Sequence, residues 1–160
     1  MATKHNVLVV LGLLDCSAPP EPGAPPAGLG FAYAAPSCAP WDGYAVSLVL
    51  RGTPLAPGDS AIEARDGVQL RLAIYPREIG GPSPSGVRAG TYRWPAEPQV
   101  AIGSWCQTTE CTTSPTGRIT LREVLADGRL RGSVELLLQD GKTLRGSFDA
   151  EWRPRRMFCL

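Results

Sequence analysis

From residue 44 onward the chain is written in short alternating runs. Leu130, Gly132, Val134, Leu136 and Leu138 fall on one side of a two-residue period. Leu144, Gly146, Phe148, Ala150 and Trp152 do the same in the next run, with Arg145, Ser147, Asp149, Glu151 and Arg153 between them. That is the period of a strand with one face buried and one face wet. Asp140-Gly141 separates the two runs and predicts a hairpin, because a two-residue type I′ turn needs positive φ. YAVSLVLR at 44–51 and VQLRLAIY at 68–75 are β-rich runs closed by Gly or Pro, and predict two further strands. VRAGTYRW from Val87, QVAIGSWC from Gln99 and the run at 118–124 bring the expectation to about seven strands. The expected class is all-β, an antiparallel meander forming a sandwich or partly closed barrel.

One short stretch repeats. DGRLRGS from Asp127 returns as DGKTLRGS from Asp140. A recognition tripeptide in Arg-Gly-Ser is one reading. The better account is two consecutive hairpins built alike, each with Asp-Gly in the turn and an inward glycine where another strand passes closely.

The first thirty residues follow a different pattern. A polar start with Lys4 and His5 precedes a run of eight largely apolar residues, 7–14, followed by Asp15 and Cys16. Eight residues rise only about 12 Å as a helix, far short of a bilayer, but match the apolar core of a signal peptide. The competing reading is an ordinary first strand. SAPPEPGAPPAGLG at 17–30 is rich in Pro, Ala and Gly and reads as an extended tether rather than part of a packed fold. The expected organisation is a signal peptide over 1–15, a Cys and tether over 16–36, and a β-domain over 37–160.

Composition agrees with many turns and little helix. Eighteen Gly and sixteen Pro are poor helix material. A formal charge of +1 gives no broad attraction for nucleic acid, and none is expected as a partner. Five cysteines, Cys16, Cys38, Cys106, Cys111 and Cys159, leave one over in any exported protein. If Cys16 is the odd one, four remain for two disulfides, with three connectivities open. The expected pairing is Cys38 with Cys159, clamping the ends of the domain, and Cys106 with Cys111, closing a small loop. A metal site is not expected, because no His follows His5.

Taken together, the apolar run ending in a Cys, with Leu13 three places before it and Asp15 departing from the pattern, resembles the lipobox of bacterial lipoproteins. The resemblance implies cleavage before Cys16 and a diacylglycerol on its sulfur. With the Pro-rich tether, the Cys-Ala-Pro-Trp opening at 38–41 and the closing RGSFDAEW, the chain is similar to small uncharacterised β-sheet lipoproteins of Gram-negative bacteria. That implies a place, attached to an envelope membrane, and no particular reaction.

Catalysis is not expected. The single His lies in the segment that the signal-peptide reading removes, so a Ser-His-Asp or Cys-His system lacks its base. No Gly-rich phosphate loop occurs, and no cofactor is expected. Paired carboxylates for glycoside chemistry are present only as scattered candidates: Asp42, Glu97, Glu110, Asp149 and Glu151. Binding has more material, since aromatic platforms stack sugars. Trp105 and Trp152 read as core, leaving Trp41 and Trp94 as exposed candidate ligand-binding residues. The polar loops at 78–86 and 107–117 are the other candidates. The three Arg of RPRRMFCL could meet anionic head groups, or simply solvate the chain end. The expected role is therefore a non-catalytic, envelope-tethered β-domain with a binding or structural role, engaging a further envelope protein or a glycan. The alternative is a secreted carbohydrate-binding or carboxylate-based carbohydrate-active domain.

Overall fold

The structure is a computed structural model and describes residues 24–26, 28–39, 43–60, 68–74, 87–95, 101–107, 110–114, 116–154 and 159. Cys16, the apolar run at 7–14, Trp41, Asp42, Glu97 and the loop at 78–86 lie outside them. The described residues contain nine strands and no helix: β1 (Phe31–Ala39), β2 (Gly43–Arg51), β3 (Val68–Ile74), β4 (Gly90–Trp94), β5 (Ala101–Gln107), β6 (Glu110–Thr113), β7 (Thr116–Val124), β8 (Leu130–Leu137) and β9 (Thr143–Trp152). They form one mixed, unclosed sheet in the order β4-β7-β8-β9-β1-β2-β3-β5-β6.

All-β is as expected, but the pure antiparallel meander is corrected. β7-β8-β9 and β1-β2-β3 are each meanders, and they join through a parallel pair, β1 against β9, with Tyr33 opposite Glu151 and Ala34 opposite Trp152. The two strands beyond the expected seven are β1 and β6. β1 has the sequence FAYAAPSCA, which reads as tether because Ala and Pro bury little. Here Ala34 and Ala35 are both buried, Ala34 with strand partners on either side. Pro36 is tolerated because the Ala34 carbonyl, on the same side of the strand, accepts from Arg153 N–H just where β9 ends. The proline's missing N–H therefore faces past the end of the neighbouring strand.

The tether boundary at residue 36 is corrected for the same reason. Besides β1, residues 24–26 dock on the edge of β9, where Ser147 N–H donates to the Ala24 carbonyl at 2.8 Å, and Leu29, 2 % exposed, enters the main core. Gly146 lets the segment pass, since a Cβ there would run into Pro26.

β8 and β9 bury or half-bury the residues that the period assigns inward. β8 alternates buried and half-buried along its whole length, and Phe148 and Ala150 of β9 are buried while Arg145, Asp149 and Glu151 are exposed. The repeated DG segments are indeed hairpins built alike, although not with the two-residue turn expected. Gly128 N–H bonds the Leu125 carbonyl, Gly141 N–H bonds the Leu138 carbonyl, and each glycine has positive φ, 91° and 82°. Leu125 and Leu138 N–H then donate to the carbonyls of Arg129 and Lys142. This is the three-residue loop with a left-handed glycine that gives an extra residue to one strand. The Asp127 and Asp140 carboxylates accept from the N–H groups of Arg129 and Lys142, 3.0 Å each, and lock the turns.

One core cluster joins the two halves of the sheet, drawing Leu48, Leu50, Leu70 and Leu72 from one and Ile119, Leu121, Val134 and Leu136 from the other. Trp94 closes the seam between them. Its indole lies against Gly117 of β7 and Gly103 of β5, two glycines at which a Cβ would collide with the ring. Its Nε1–H donates to the Ser114 carbonyl at 3.1 Å, and the Trp94 carbonyl accepts from Thr116 Oγ1 at 3.2 Å.

Candidate functional site

The outer face of β4-β7-β8-β9 carries the most organised polar surface among the described residues. Strand register aligns it in rows. Arg93, Arg118, Glu135 and Arg145 stand opposite one another across four strands. The next row, two residues along, is all hydroxyl: Thr91, Thr120, Ser133 and Ser147. Beyond it Glu123, Arg131 and Asp149 align, with Arg122 beside them where the register shifts between Leu121 and Glu123. Such alignment follows from side-chain alternation, because equal-parity positions of paired strands share a face.

The carboxylates are shared among arginines. Glu135 pairs with both Arg118 and Arg145, the latter at 3.1 Å. Asp149 receives Arg129 at 2.7 Å and Arg131 at 3.0 Å, and Arg131 also reaches Glu123 at 3.1 Å. Hydrogen bonds to Asp149 first and Glu123 second hold the Arg131 guanidinium further above its ordinary pKa. Arg122 takes the Gly132 carbonyl and Ser147 Oγ, 3.3 and 3.2 Å away, and Thr91 and Thr120 hydroxyls meet at 3.1 Å. An open groove of about 440 Å³ runs beside this face, lined by Arg122, Arg131, Ser147 and Asp149 and bordered by Pro25 and Gly30. A second, of about 330 Å³, lies by Arg93, Pro95 and Arg118. Chemically the face is a set of planar cationic donors around a line of hydroxyls, suited to holding anions.

The residues expected to matter fall as follows. Cys38 bonds Cys159 and Cys106 bonds Cys111, the pairing expected. The latter pair sits directly opposite across β5 and β6, so the loop at 107–117 contains an exposed strand pinned at its middle. Trp94 is corrected: at 4 % exposure it is a seam residue and offers no open platform. Trp105 and Trp152 pack half-buried on the core, as expected. Asp149 and Glu151 do project from one face, each engaged by arginine, Glu151 by Arg153 at 3.1 Å. Arg153 itself lies 5.3 Å from the Tyr33 ring centroid, turned back onto the domain.

Sequence reading missed the rows entirely. Their signal was present as Arg, Ser and Thr at outward positions of alternating runs, but which outward residues meet depends on register. It also missed Arg51 and Gln69, buried opposite one another on β2 and β3 with a further hydrogen bond from Arg71 Nε to Gln69 Oε1 at 3.1 Å. No periodic signal marks a buried arginine. No family model matches this sequence, and neither curated proteins nor solved structures give a match.

Proposed function

We propose that the chain is an exported, non-catalytic β-domain anchored to an envelope membrane through lipid on Cys16, where it serves a binding or structural role. The observation that carries this reading is the cysteine count. Two disulfides take up Cys38, Cys159, Cys106 and Cys111, and the one cysteine left over in the sequence is the one that ends the apolar run. Disulfides are compatible with an oxidising, extracytoplasmic compartment. Likeness to small β-sheet lipoproteins supports the same assignment. In shape we read the curled sheet, with Trp94 bridging its two ends, as a partly closed barrel. The carbohydrate-binding alternative now rests on Trp41, because Trp94 is buried. The test is direct: the native chain should incorporate labelled fatty acid and partition into detergent, and Cys16→Ala should abolish both. Full-length protein in the cytosol with Met1 intact would overturn it.

A further inference from the structure

The geometry points to a docking surface: the arginine and hydroxyl rows of β4-β7-β8-β9 lie against the anionic head groups of the membrane that holds the chain. The inference rests on the anchored reading above and names the surface that meets the bilayer. Three observations converge on it.

The first is charge. Arg93, Arg118, Arg122, Arg129, Arg131 and Arg145 stand among Glu123, Glu135 and Asp149, an excess of cations on one side of a molecule with a formal charge of only +1. Glu151 further along is matched by Arg153 and leaves the excess unchanged. Neither Arg93 nor Arg122 has a carboxylate partner among the described residues.

The second is shape and chemistry. Four neighbouring strands and three rows make a patch about 14 Å on a side, built for contact with a plane rather than a cleft. Guanidinium and hydroxyl donors match phosphate oxygens. No exposed aromatic stands in the rows to stack a sugar, since the nearby indole of Trp94 is turned into the seam.

The third is where the chain arrives. Residue 24 is bonded to Ser147, a member of the hydroxyl row, and Pro25 borders the groove beside Arg122 and Arg131. Seven residues separate Cys16 from Ala24, and even fully extended the eight steps between them span no more than about 28 Å. A lipid on Cys16 therefore keeps this edge of the sheet, and the rows that begin beside it, within that reach of the head groups. Within the last ~10 Å unscreened attraction takes over.

Vesicle flotation of the full chain carrying Cys16→Ala tests the surface without the anchor. It should float with phosphatidylcholine vesicles that contain phosphatidylglycerol and not with phosphatidylcholine alone, and added salt should weaken the association. Arg93→Gln with Arg122→Gln removes two charges without stranding a carboxylate, and should lower affinity about tenfold or more while circular dichroism and both disulfides stay intact. Equal binding to both vesicles, or undiminished binding by that double variant, would overturn the proposal. So would capture of polygalacturonate in place of vesicles, which would make the face an acidic-glycan site. Fatty-acid incorporation by the native chain is scored separately. A lipidated native chain whose Cys16→Ala form ignores anionic vesicles sinks the surface and spares the anchor, and the converse result sinks the anchor alone.

Discussion

Trp94 shows how one side chain sets a local design. Its ring fills the space that Gly103 and Gly117 leave empty, and its N–H satisfies the carbonyl at the bend between β6 and β7. Trp94→Ala should therefore cost about 3–5 kcal/mol in urea unfolding, as other large-to-small core changes do. Adding a methyl at Gly117 should also destabilise, because the ring has nowhere to retreat. Two residues away, Tyr92 is half-buried with its hydroxyl donating to the Arg88 carbonyl at 2.7 Å and accepting from Arg88 N–H. Burial, partly offset by Arg88, raises the phenol's pKa above its ordinary 10.0. The fold thus favours the neutral phenol. Its contribution is complete below the unfolded value of about 10 and is lost as pH rises through the higher folded value. Ultraviolet titration should show a late-ionising component that disappears in Tyr92→Phe. That variant should lose about 1 kcal/mol at neutral pH and show a smaller further loss in alkali.

At the scale of elements, the paired hairpins offer a controlled comparison. Both turns need a left-handed glycine, so alanine at either should cost about 1–2 kcal/mol of backbone strain. Gly141 faces open space, whereas Gly128 lies under the Trp152 side chain. Gly128→Ala should consequently destabilise clearly more than Gly141→Ala, which thermal melts of the two variants would check. Residues 24–26 and 28–30 belong to the fold by the same kind of argument. Leu29 is in the core and Ala24 bonds β9, so a chain begun at Phe31 should unfold at lower urea than one begun at Ala24, and Leu29→Ala alone should cost about 2–5 kcal/mol. Equal midpoints would return this segment to the status of a tether.

Across the whole molecule, the two disulfides act on very different lengths of chain. Cys38–Cys159 spans 121 residues and ties β1 to the chain end, so on the loop-entropy account it stabilises by about 5 kcal/mol. Cys106–Cys111 spans five and contributes about 2 kcal/mol, holding an exposed edge strand to its neighbour. Cys159→Ser should therefore lower the unfolding free energy by several kcal/mol and Cys111→Ser by distinctly less. Non-reducing peptide mapping of each variant should show the other bridge intact. Comparable losses from the two would mean that local strain, and not chain entropy, governs the effect.

Period-two alternation determined β8, β9 and their facing core residues, because a strand with one wet face writes its exposure directly into sequence. Turn chemistry likewise marked both DG hairpins, while the extra residue in each loop came from how the flanking strands pair. Cysteine positions suggested the bridges across the domain and across the short loop, and the fold selected that pairing from the three that spacing left open. Alternation says nothing where both faces of a strand are covered or neither is. β1 is an Ala-rich strand that buries four successive residues, so both of its faces are covered there and no alternation shows, and β6 is exposed throughout and held by pairing and a disulfide. Trp94 looked outward beside a proline, and became a seam residue only when β4 was carried to the far end of the sheet from β5 and the sheet curled to bring them together. The arginine rows depend on tertiary structure for the same reason. Sequence places Arg145 on an outward position, but only the register of three strand pairings sets it in line with Glu135, Arg118 and Arg93.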